Sequence, residues 1–154
     1  MRTTFLFFIG VLFTIHCSAQ SWRVSSLIKK LNNNQFSIVH EEKATFTMKG
    51  RPAYKLIKIG NPAADKLITA LSDTTKTIMA HLVLCHIYFK VATFAGPKIT
   101  TVDDKHISNY FLGQEKGEGL IISEINTNGT YKTFITRENL NSIITFWKNK
   151  VATK

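Results

Sequence analysis

Cysteine is almost absent from this chain: 154 residues carry two, Cys17 and Cys85. If the first nineteen residues are removed, as read below, Cys85 stands alone and no intramolecular disulfide can form. The fold must then rest on its apolar core. Proline is scarce at three and glycine modest at eight, and no Pro/Gly/Ser-rich tract divides the chain. Acidic residues are few, ten against twenty Lys and Arg, for a formal net charge of +10. Long hydrophobic runs are missing too. The longest, FLFFIGVLFTI over 5–15, has 11 residues, short of the roughly 20 that cross a hydrocarbon core. No Gly-rich phosphate loop, G-x-S-x-G or H-E-x-x-H occurs, so nucleotide and hydrolase chemistry lack their usual motifs.

What is present begins with an address. Met1-Arg2-Thr3-Thr4 followed by that apolar run reads as a secretory signal peptide, with Cys17-Ser18-Ala19 offering small residues for cleavage before Gln20. The expectation is an exported protein, periplasmic or secreted, with no membrane span after cleavage. Residues 20–154 are the size of one domain. Loss of Arg2 leaves nineteen basic and ten acidic residues, a net +9. In an exported protein that excess points away from nucleic acid and toward a protein partner or an anionic envelope component.

Hydrophobic spacing predicts the elements. Trp22, Val24, Leu27, Ile28 and Leu31, at spacings of two to four, predict a short amphipathic helix. Residues 35–48 read as strand or loop. Arg51-Pro52 opens a helix that ends at Gly60, and Asn61-Pro62 opens another with Ala64, Leu67, Ile68 and Leu71 on one side. Asp73 is placed to cap a third helix. Its TIMAHLVLCHIYF (77–89) is apolar on every side, so it must be enclosed by other elements. Residues 97–118 are expected to be a long loop with a helical turn near 106–111. Asn128-Gly129 between β-prone runs predicts a hairpin over 119–136. Leu140, Ile143, Ile144, Trp147 and Val151 mark a closing helix over 137–151, with Thr136 as its cap.

Several residues invite a chemical reading. His81 and Cys85, at i and i+4, share a helical face as two ligands of one metal would, or as a nucleophile and its base would. Three or four ligands are needed for zinc, and His40, His86 and His106 come from other faces or segments. Cys85 also sits in the most apolar helix, where a thiol packs as a small hydrophobe. The reading is therefore no catalytic residue, no metal and no cofactor. The carboxylate pairs Glu41-Glu42 and Asp103-Asp104 read as solvated turns, and Asn128-Gly129-Thr130 as the hairpin turn. The basic side chains carry more: Arg51, Lys55 and Lys58 recur at helical spacing beside Tyr54, with Lys66 and Lys76 following. These six form the candidate partner-binding ridge.

Within residues 52–90 the run PAYKLIKIGNPAADKLITALSDTTKTIMAHLVLCHIY resembles a HEAT-like repeat: a helix ending Ile-Gly, then Asn-Pro-Ala, then a helix ending in Leu-x-Asp, with a further helix behind. The resemblance implies a mainly α fold, a compact helical domain with a HEAT-like pair at 52–90, an inserted hairpin and a C-terminal capping helix. It also implies a non-enzymatic binding module that offers a helical ridge to its partner. Alternatives are a periplasmic immunity-type inhibitor and an enzyme using Cys85 with a histidine.

Overall fold

The computed structural model describes residues 20–102, 105–114 and 117–153. The expected signal peptide, with Cys17, and the Asp103-Asp104 pair lie outside them. Helix α1 covers residues 20–29, ahead of a short 3₁₀ turn at Asn33–Gln35. Strands β1 (Phe36–Val39) and β2 (Thr45–Met48) form an antiparallel hairpin. Helices α2 (Arg51–Ile59), α3 (Ala64–Ala70) and α4 (Thr77–Phe89) follow. Strands β3 (Thr93–Val102), β4 (Lys105–Gly113), β5 (Leu120–Thr127) and β6 (Thr130–Phe134) make a second antiparallel sheet in sequential order. Helix α5 (Arg137–Ala152) closes the chain.

This is an α+β fold, and the mainly α, HEAT-like expectation is corrected: six strands in two antiparallel sheets accompany the helices. Residues 52–90 do hold three helices, but α4 packs against α2 and α3 on one side and touches β4 on another. Its remaining surface meets β4, the 3₁₀ turn and Trp147 of α5, where a solenoid would supply the next repeat. Residues 97–118 also depart from the expected loop and helical turn. β3 and β4 occupy most of them, paired from Thr93↔Gly113 to Val102↔Lys105 with a register shift between Ala95 and Lys98. β-Branched and aromatic residues in β4 satisfy a pleated surface although glycines and polar residues interrupt the sequence.

Local chemistry explains the helix ends. Gly60 takes a positive φ of 75° and returns its N–H to Leu56 O at 3.0 Å, ending α2. Thr136 Oγ1 accepts from Asn139 N at the start of α5. The cap of α4 comes from elsewhere than expected. The Asp73 side chain accepts from Thr75 instead, and its carbonyl takes Thr77 N; the next two amides of α4, Ile78 N and Met79 N, donate to Asn33 Oδ1 at 3.0 and 3.4 Å. Asn33 also donates from Nδ2 to Thr74 O, so the 3₁₀ turn is fastened to the start of α4.

The α4 residues from Thr77 to Cys85 are all buried, as an all-round apolar helix requires. Trp147 and Ile143 of α5 and Leu112, Leu120 and Ile122 of the sheet complete the core. No helix among the described residues is long and apolar enough to cross a membrane.

Candidate functional site

Three places gather chemistry-bearing side chains. The first is internal. His81 and Cys85 meet Glu118, which the β4–β5 connection brings to α4, and all three are fully buried. Trp147 Nε1–H donates to His81 Nδ1 at 3.0 Å, and His81 Nε2 stands 2.9 Å from Leu112 O. Because the indole can only donate and the carbonyl can only accept, His81 is neutral with its proton on Nε2. Burial holds its pKa down at about 4. Cys85 Sγ donates to Glu118 Oε1 at 3.4 Å, and the same oxygen accepts Gln114 N at 2.5 Å. Burial, and then the Glu118 charge, push the thiol far above its ordinary range.

The sulfur does lie beside an imidazole, 3.4 Å from His81 Nε2, as the i, i+4 spacing implies. Yet His81 Nε2–H points at Leu112 O and so offers the thiol no base, and neither group reaches solvent. The trio is also poorly arranged for a metal. A ligating imidazole usually donates its second N–H to an acceptor, whereas His81 Nδ1 faces the donor Trp147. The backbone opens for the carboxylate: a Cβ at Gly113 would lie 2.7 Å from Glu118 Oε1, and one at Gly119 would lie 1.8 Å from the Phe111 ring. His81 therefore lies within the core, tied to β4 and α5. Glu118 gave no sequence signal, because its loop position conceals its reach. His86 is half-buried on another face.

The second place is the outer face of α2. Arg51, Tyr54, Lys55 and Lys58 are exposed there, Tyr54 at 56%. At 100° per residue they fall within about 100° of arc. Tyr54 Oη donates to Met48 O at 3.1 Å, which orients the ring. The other two predicted residues are engaged elsewhere. Lys66 Nζ donates to Ser21 O, Ser21 Oγ and Ser25 Oγ within 2.8 Å, docking α1 on α3. Lys76 pairs with Asp73, and that hydrogen bond, aided by Thr75, lowers the carboxyl to about 2.

The third place is a groove on the larger sheet. Antiparallel partners Leu112↔Leu120, Tyr110↔Ile122 and Ser108↔Glu124, with Asn126↔Tyr131 beyond, share one face. That face is core at the Leu112 end. It turns polar at Glu124, where a cavity of about 640 Å³ opens. His40, just past β1, hangs over it. Its Nε2 lies 3.4 Å from Glu124 Oε2, its Nδ1 is 3.4 Å from Tyr110 Oη, and its ring stacks on Tyr131 at 4.8 Å. Tyr110 Oη donates to the same Glu124 oxygen. Burial, and then the Glu124 charge, raise the Tyr110 pKa. An aromatic chain from Phe36 through Phe46 and Phe94 to Tyr110 ties the small hairpin to this sheet. The sequence did carry a signal here: Leu120, Ile122, Glu124 alternate along β5, and a carboxylate stands where a third apolar residue would continue the core.

No family model matches the chain, and neither curated proteins nor solved structures contain a match.

Proposed function

We propose that this chain is an exported, non-enzymatic interaction module that holds an acidic protein partner on the outer face of α2. The observation that carries the reading is the concentration of Arg51, Lys55 and Lys58 around the exposed Tyr54 on one rigid helical face. The α2 sequence RPAYKLIKI contains no acidic residue. Among the described residues none of the three cations is in a salt bridge, so their charge is available to a partner. Tyr and Arg are the side chains that anchor protein interfaces, and the chain's net +10 steers an acidic surface toward them. The sealed state of Cys85 supports binding over thiol chemistry.

An anionic envelope component would offer the same charge, so the test has two arms. Fluorescence anisotropy with a Glu/Asp-rich peptide, and sedimentation with vesicles containing anionic phospholipid, are compared for the wild type and the double variant Lys55→Glu, Lys58→Glu. Salt-sensitive peptide binding that falls about tenfold, a loss of 1.4 kcal/mol, in a variant with unchanged melting supports the proposal. Equal peptide binding by both proteins overturns it, and binding to vesicles alone moves the partner to the envelope surface. Cleavage of the leader is tested by the N-terminus of the protein recovered from cells, expected at Gln20; an intact leader would refute it.

A further inference from the structure

The groove over Glu124 is separate from the α2 face and unexplained by it. Helices cover one end of the sheet face, where Leu112, Leu120 and Ile122 are fully buried. Past Tyr110 the same face continues with Ser108, Glu124 and Asn126, and among the described residues no helical side chain lines the groove there. A carboxylate only 5% exposed is costly to bury without strong donors. Among the described residues the side-chain contacts of Glu124 are weak ones, His40 and Tyr110 at 3.4 Å, and both use Oε2. That leaves Oε1 an acceptor for a ligand donor.

The surroundings indicate what kind of donor. Tyr131 is 53% exposed although His40 stacks on it, so the ring still offers apolar area to a ligand in the groove. Amides from Asn126 and Asn128, the Ser108 hydroxyl and the Lys105 ammonium mix donors with acceptors around the cavity. A dianion would meet Glu124, and a cation would meet Lys105 on a protein of net charge +10. A neutral ring bearing hydroxyls on its edge and C–H bonds on its face satisfies both the polar rim and the aromatic wall. The volume of about 640 Å³ falls in the range of small-molecule sites. We infer that this groove binds a neutral saccharide, with Glu124 accepting ligand hydroxyls and Tyr131 packing against the sugar ring.

The test is a ¹H–¹⁵N NMR titration of the protein with maltotriose, cellotriose and chitotriose, and separately with inorganic phosphate and tetramethylammonium. The expected result is saturable shifts at amides from Glu124 to Tyr131 with at least one sugar. Tyr131→Ala, at a largely exposed position, should weaken that binding about tenfold, equivalent to 1.4 kcal/mol. Glu124→Gln should weaken it while the spectrum stays folded, and Lys58→Glu should leave it unchanged. Absence of sugar shifts, saturation by phosphate or tetramethylammonium alone, or undiminished binding by Tyr131→Ala would each overturn the assignment.

Discussion

His81 shows how one residue fixes the chemistry of the core. Its ring accepts a hydrogen bond from Trp147 Nε1–H on one side and donates one to Leu112 O on the other, so it bridges α4, β4 and α5 only while neutral. The unfolded imidazole takes up a proton below its ordinary 6.5, whereas the folded one resists until about 4. The stabilisation is therefore complete above pH 6.5 and is lost as pH falls toward 4, by about 3 kcal/mol in total. Urea melts at pH 7.5 and 4.5 should show the wild type losing about 2–3 kcal/mol more than His81→Gln, a side chain able to accept and donate but unable to titrate. Equal losses would mean that His81 is already charged or solvated. The i, i+4 pairing of His81 with Cys85 was legible in the sequence. Trp147 and Glu118 were not, because they arrive from 66 and 33 residues away.

Among the elements, the helices and the last hairpin were the easier to read. Spacing of Leu67, Ile68 and Leu71 marked α3, and Asn128 and Gly129, with φ of 52° and 82°, turn β5 into β6. β3 and β4 were not read, since β3 is exposed along nearly its whole length and so lacks the alternation that betrays a half-buried strand. The cap of α4 was missed for a related reason: a motif search looks next to the helix, and Asn33 comes from 45 residues upstream. Asn33→Ala should lose two amide contacts and the clasp on Thr74 O, and so destabilise the protein by about 1–2 kcal/mol. Chemical denaturation reads this directly, and a change within error of zero would show that water serves the helix end equally well.

At the scale of the molecule, a resemblance over 52–90 pointed to a helical repeat, but that pattern describes only how α2, α3 and α4 meet. Which elements cover the far side of α4 is a long-range matter, and here they are β4 of the sheet and the closing helix α5. The sheet in turn explains the division of surfaces. Its covered end joins the core, its open end forms the Glu124 groove, and the basic face of α2 is set apart from both. In this account the reactive-looking trio serves stability, and function belongs to the exposed surfaces. Cys85, the one free thiol among the described residues, reports on that division with little ambiguity. Reaction with a thiol-specific disulfide reagent at neutral pH, followed with and without denaturant, should show a sulfur that is silent in the folded protein and reacts only as the protein unfolds. Rapid stoichiometric labelling of the native state would place an accessible thiolate beside His81 and contradict the account.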